Sequence, residues 1–133
     1  MKRYLLDTSG YSAYFAGGKR VRDLLLEADE IYLGPVVTGE LLYGFGQGRY
    51  SLRNRQVLQE FLSRPRVVPL GIDQETAECY AKIRAALRKQ GSPIPTNDMW
   101  IAASAMQFGL AVLTSDRHFE QVPQVRVELI DPA

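Results

Sequence analysis

The sequence has one cysteine, Cys79, which rules out an intramolecular disulfide. Its place in an apolar-periodic segment marks it as a small packed hydrophobe. There is also one histidine, His118, so any nucleophile-and-histidine mechanism must use it, and no serine or cysteine is tied to it by a recognisable motif. His118 is expected at the edge of a site or packed in a turn. Long apolar runs are missing: Tyr4-Leu5-Leu6 is stopped by Asp7, too short for a signal sequence, and nothing reaches membrane-spanning length. No stretch has linker composition, and there is no internal repeat or low-complexity segment. One domain over residues 1–133 is expected. Charge of either sign is scarce in excess, with 16 Lys and Arg against 15 Asp and Glu, a balance that neither demands nor excludes a nucleic-acid partner. The chain suits a reducing cytoplasm, which is its expected location.

What is present is enough apolar material, 46% of residues, to bury a core without a disulfide or a structural metal, so any metal would be functional. Tyr4-Leu6, Ile31-Leu33, Val67-Leu70, Ala111-Leu113 and Val125-Leu129 read as strands. Between them lie helical patterns. The first runs from about Tyr11 to Phe15 and stops at Gly17-Gly18. A second carries Val21, Leu24, Leu25 and Ala28 at helical spacing. A third is capped by Thr38 and broken by the glycines after Tyr43, and a fourth runs from Leu52 to Leu62. Asp73 caps a long helix from Gln74 to Gln90, and Thr96 caps one that Gly109 ends. Strands alternating with helices predict an α/β fold in three layers, α/β/α, around a mostly parallel sheet.

In open parallel sheets the ligand crevice lies beyond the carboxyl ends of the strands. Four acids have that address: Asp7 directly after strand one, Glu40 in the first turn of the helix after strand two, Asp98 in the first turn after Thr96, and Asp116 after the strand that ends at Thr114. Each has a structural explanation, since acids favour helix N-termini, and Asp7 and Asp116 suit a cap and a turn. Their joint placement is what points to chemistry. Clustered carboxylates repel and push one another's pKa upward, and Mg²⁺ or Mn²⁺ removes the conflict through oxygen ligation. Thr8, Ser9, Asn97, Thr114 and Ser115 are placed to hydrogen-bond to such carboxylates or to metal-bound water, or to serve as ordinary caps and turns.

The segments Leu5-Leu6-Asp7-Thr8-Ser9, the isolated Glu40, Asn97-Asp98-Met99-Trp100-Ile101-Ala102-Ala103 and Leu113-Thr114-Ser115-Asp116-Arg117-His118-Phe119 occur in an order that resembles the PIN-domain ribonucleases, in particular the VapC-type toxins. The resemblance runs nearly end to end and is most specific from Thr96 to Phe119. It implies a Mg²⁺- or Mn²⁺-dependent endoribonuclease with Asp7, Glu40, Asp98 and Asp116 as its acidic quartet, usually dimeric and paired with a VapB-like antitoxin. The implied reaction is hydrolysis of an RNA phosphodiester by metal-activated water. Asp7, Asp98 and Asp116 are the main ligand candidates, and Glu40 either binds metal or orients the water.

An acidic pocket repels RNA unless cations surround it, and Arg49, Arg53, Arg55 and Arg117 are the candidates for phosphate contact, with Lys19, Arg20 and Arg22 as a further group; all are equally read as solvated faces. Tyr11, Tyr14, Phe15, Leu42, Tyr43 and Phe45 either line a groove for an antitoxin helix or belong to the core. Two other readings compete. A haloacid-dehalogenase-like phosphatase also places an aspartate after strand one, but Asp7-Thr8-Ser9 lacks the second aspartate expected there and no suitable lysine precedes the final acids. A non-catalytic regulatory module would use the same acids to bind metal for the fold alone.

Overall fold

The computed structural model describes residues 1–133. Five strands, β1 (Arg3–Leu6), β2 (Glu30–Leu33), β3 (Val67–Pro69), β4 (Ala111–Thr114) and β5 (Arg126–Leu129), form one sheet. Six helices connect them: α1 (Thr8–Phe15), α2 (Lys19–Glu27), α3 (Pro35–Gly46), α4 (Ser51–Leu62), α5 (Gln74–Gln90) and α6 (Thr96–Phe108). A 3₁₀ turn, Arg117–Gln121, joins β4 to β5. Every strand pairing is parallel, where the sequence predicted a mostly parallel sheet.

Successive residues of β1, β2 and β4 are buried whichever way they point: Leu5 and Leu6, Ile31 through Leu33, and all of Ala111 to Thr114. Side chains alternate between the two faces of a strand, so this pattern requires cover on both faces and gives the three-layer α/β/α arrangement. Leu5, Leu6, Leu33, Ile83, Leu87, Phe61, Val112, Leu113 and Phe119 form the most enclosed part of the core. Truncating Phe61 or Phe119 to alanine would cost about 3–5 kcal/mol, a large part of the stability of a domain this size.

The strand order is β3-β2-β1-β4-β5. The chain builds outward from β1 through β2 to β3, then crosses back to the other side of β1 to add β4 and β5. That reversal opens a crevice between the carboxyl ends of β1 and β4. The crevice is kept tight by Gly10 in α1, where a Cβ would lie 2.3 Å from the Leu113 carbonyl oxygen. Only glycine lets the start of α1 lie this close against β4.

Helix ends explain where the sequence reading shifted. α5 has the cap anticipated at Asp73, which the structure extends to a capping box with Thr76 as its reciprocal partner, and Gly91 (φ 71°) and Gly109 (φ 64°) close α5 and α6 in the left-handed conformation. Thr38 is no cap: α3 begins at Pro35 behind Gly34, because a proline at the first helical position needs no hydrogen-bonding N–H. Likewise Thr96 lies inside α6, and Pro95 holds the cap position without a side-chain hydrogen bond. α1 starts at Thr8, earlier than Tyr11, since the Asp7 side chain caps it.

Candidate active site

Asp7 is the residue after β1 and the N-cap of α1, and its side chain is buried, only 4% exposed. A buried carboxylate is costly unless its oxygens are satisfied. Here Oδ1 accepts from the Ser9 hydroxyl at 2.8 Å and the Gly10 amide at 2.8 Å, while Oδ2 accepts from the Thr114 hydroxyl at 2.6 Å. Burial pushes the Asp7 carboxyl above the ordinary range, and those three hydrogen bonds pull against it. Capping and site-building are therefore one arrangement at this residue.

The same hydroxyls stitch β4 to α1. Thr114 Oγ1 accepts from the Asp116 amide at 2.8 Å, and Ser9 Oγ accepts from the Ser115 amide at 3.0 Å. Ser115 thus takes part through its backbone. The turn that carries Asp116 is set by the residues that hold Asp7, so the two carboxylates are positioned together.

Glu40 stands in the second turn of α3, because the helix begins at Pro35; the first turn holds no acid. That corrects the sequence reading, and it removes the helix-dipole explanation for this residue, whose reach is about one turn. Instead the Thr8 hydroxyl donates to Glu40 Oε1 at 2.5 Å and Asn97 Nδ2 donates to Oε2 at 3.2 Å, which tethers α3 to α1 and α6. Thr8 and Asn97 are the residues adjoining Asp7 and Asp98 in sequence.

Asp98, in the first turn of α6, has a side chain 14% exposed. Its carboxyl is pushed up to about 6, first by burial, then by the charges of Asp116 and Asp7, with Glu40 adding to them and His118 opposing. All three other acids act on this one group. Asp116 caps the 3₁₀ turn by accepting from the His118 amide at 2.9 Å.

His118 is the residue whose part the sequence understated. It lies at the edge of the site, as expected, but its Nδ1 is 3.0 Å from Asp116 Oδ1 and 3.5 Å from Asp98 Oδ2. One ligand atom from each of Asp98, Asp116 and His118 lies within 4.8 Å of the others. The available signal was the spacing: the residue two beyond an aspartate in a turn donates its amide to that aspartate, which keeps His118 beside Asp116.

This donor set fits a divalent cation. Oxygen donors from two carboxylates surround a point where a positive charge would relieve the repulsion that raises Asp98, while Asp7 and Glu40 border it from fixed positions. Asp98 and Asp116 would hold such an ion directly.

The candidate cations lie farther out. Arg117 pairs with Glu120 at 2.9 Å, Arg20 pairs with Glu128 at 3.1 Å, and Arg49 is 6.0 Å from the Tyr50 ring centre. Arg55 and Lys19 are exposed, and Arg22 lines a cavity with Tyr14 and Phe61. Arg53 lines a groove of about 460 Å³ together with Tyr11, Phe15, Phe45, Tyr50 and Val57. Of the aromatic and apolar candidates, Tyr11 is core, Tyr14, Leu42 and Phe45 are half-buried against it, and Phe15 and Tyr43 are exposed. No helix is long and apolar enough to cross a membrane.

Comparison with known proteins agrees with this geometry. The PIN domain family matches residues 4–125. Ribonuclease VapC2 of Haemophilus influenzae is 32% identical over 133 aligned residues, covering 96% of this chain and 98% of that protein. The tRNA(fMet)-specific endonuclease VapC of Salmonella typhimurium is 34% identical over 104 residues, 77% of each chain. The crystal structure of DNA-bound VapBC from Salmonella typhimurium superposes with a TM-score of 0.83 at 30% identity, covering 96% of this chain and 98% of that one. With the family matched over most of its length and a VapC relative aligned almost end to end, the chain belongs to the PIN-domain family, among the VapC ribonucleases.

Proposed function

We propose that this protein is a metal-dependent endoribonuclease, the toxin of a toxin-antitoxin pair, with Asp7, Glu40, Asp98 and Asp116 as its catalytic acids. The observation that carries the reading is the convergence of all four carboxylates, from four separate elements, on the crevice between β1 and β4, with Asp98 raised by its burial and then by the charges of the other three.

A bound Mg²⁺ or Mn²⁺ would supply water of lowered pKa and neutralise charge developing on the phosphoryl oxygens. Asp98 and Asp116 face that ion. Asp7, fixed by Ser9, Gly10 and Thr114, supplies a carboxylate that cannot swing away. Glu40 has an oxygen bound by each of Thr8 and Asn97 and stands back from the inner group, which suits it to orient the attacking water. Arg49, Arg53, Arg55 and Arg117 supply phosphate contacts along the approaching strand.

The partner reading rests on the similar solved complexes, which are VapBC assemblies. A VapB-like antitoxin would lay an apolar segment in the groove lined by Tyr11, Phe15 and Phe45, with Tyr14, Leu42 and Tyr43 on the neighbouring surface, and the toxin would act as a homodimer.

The test is incubation of purified chain with total cellular RNA and with tRNA(fMet), in Mg²⁺, Mn²⁺ or EDTA, beside Asp98→Asn. Discrete fragments that vanish in EDTA and in the variant are expected. Fragments that persist in both would overturn the assignment, and hydrolysis of small phosphomonoesters would transfer it to the phosphatase reading.

A further inference from the structure

His118 has no counterpart among the acids just assigned, yet it makes the closest side-chain contact to the two carboxylates that face the ion. Phe119 beside it is fully buried and pins the 3₁₀ turn to the core, and the His118 amide is bound to Asp116 Oδ1 at 2.9 Å. The imidazole is therefore held by its own backbone over the mouth of the crevice, with 52% of the side chain exposed. Its Nδ1 meets one carboxylate from α6 and one from the turn after β4.

We infer that His118 is a third ligand of the cation held by Asp98 and Asp116, a nitrogen donor that tilts the site toward Mn²⁺ and away from Mg²⁺. The inference rests on the metal-dependent reading above and adds to it the identity of a ligand and of the favoured ion. Adjacent ligands on a six-coordinate ion with bonds of about 2.1 Å lie about 3 Å apart. The Nδ1 separation of 3.0 Å from Asp116 matches such an edge and the 3.5 Å from Asp98 exceeds it by about half an ångström, so a small movement would admit the ion without rebuilding the turn. The ring atom turned toward both carboxylates is Nδ1, the atom that would meet an ion held between them.

The donor type decides the selectivity. Mg²⁺ prefers oxygen, keeps several waters and tolerates little departure from an octahedron; Mn²⁺ shares the preference for carboxylate and water but, as the first member of the transition series, accepts one nitrogen donor at less cost. A site of two carboxylates and one imidazole gains from the nitrogen with Mn²⁺ and gains little with Mg²⁺.

The chain contains one histidine, so any imidazole signal from the untagged protein has a single source. The untagged chain is stripped with EDTA and titrated with Mn²⁺, and the bound ion is read by pulsed electron paramagnetic resonance for ¹⁴N coupling, in wild type and in His118→Ala. Expected are imidazole coupling in wild type that is lost in the variant, a Mn²⁺ Kd at least about tenfold weaker in the variant, and a Mg²⁺ affinity that changes far less. Mn²⁺ bound without nitrogen coupling overturns the inference while leaving the acidic site intact. Tighter binding in His118→Ala also overturns it, by showing that the ring competes with the ion. Failure of wild type to bind Mn²⁺ at all overturns the metal reading itself, and the inference with it.

Discussion

Removing the charge of Asp98 should stabilise the metal-free fold while abolishing cleavage. Asp98 is mostly enclosed and stands among Asp116, Asp7 and Glu40, and its carboxyl is raised from 3.8 to about 6. An acid whose pKa is higher in the folded state contributes stability that is fully present below the unfolded value and lost as pH rises through the folded one. The loss therefore falls between about pH 4 and pH 6. At about 1.4 kcal/mol for each tenfold change, ionised Asp98 costs the metal-free protein about 3 kcal/mol at pH 7 and above, as an upper limit because the neighbouring acids titrate with it. Asp98→Asn keeps the shape and removes the ionisation. Urea unfolding in EDTA at pH 4.5 and pH 8 reads the difference: a gain of about 1–3 kcal/mol for the variant at the higher pH, about 3–12 °C in Tm for a domain of this length, and roughly a third of that at the lower. Saturating Mn²⁺ should reverse the order, since the wild type alone keeps all its ion-facing carboxylates. A variant less stable than wild type at pH 8, or a gap that does not change with pH, would refute the claim that the cluster carries unbalanced negative charge.

Two further changes test how the site is held. Thr114→Val keeps the volume but removes the donor to Asp7 Oδ2 and the acceptor for the Asp116 amide, so metal-free stability at neutral pH should fall by about 1–3 kcal/mol and Mn²⁺ affinity by about 10–100-fold, read by urea unfolding and calorimetric titration; unchanged affinity would show that Asp7 needs no such support. Gly10→Ala places a methyl 2.3 Å from the Leu113 carbonyl oxygen and must push α1 off β4, costing about 1–3 kcal/mol in a thermal melt and lowering cleavage with it, whereas a wild-type melt would show that the close approach can relax.

The layered fold was legible because its periodicities are strong: short runs such as Tyr4-Leu6 and Ala111-Leu113 can be buried on both faces only in a parallel sheet, and Asp73, Gly91 and Gly109 mark helix ends by local chemistry alone. The starts of α3 and α6 were misplaced for a local reason too. Thr38 and Thr96 look like caps in sequence, but Pro35, preset for the first turn, starts α3 ahead of Thr38, and in α6 the cap position falls one residue earlier, on Pro95, which leaves Thr96 inside the helix. The strand order could not be read from any one segment. It depends on which edge of β1 the last two strands join, a choice made by packing across residues more than a hundred positions apart.

The site divides in the same way. Asp7, Asp98 and Asp116 could be placed near the strand ends from sequence because each follows a recognisable element boundary, and the structure brings them to one crevice. How they are held could not be read. The hydroxyl of Thr114 serves Asp7 across 107 positions, and Asn97 serves Glu40 across 57. His118 shows why the sequence weighs such residues badly: alone it is an exposed side chain in a turn, and its significance comes only from Asp98, 20 positions earlier on another element. A carboxylate cluster announces itself through residue type, whereas the groups that make it usable, Ser9 and Thr114 beneath Asp7 and His118 at the open edge, are ordinary residues until the fold supplies their partners. The substitutions that best separate a working site from a merely acidic one therefore lie outside the quartet. A regulatory module that bound metal only for its fold would tolerate loss of the hydrogen bond between Asn97 and Glu40, whereas the nuclease proposed above would lose cleavage with it.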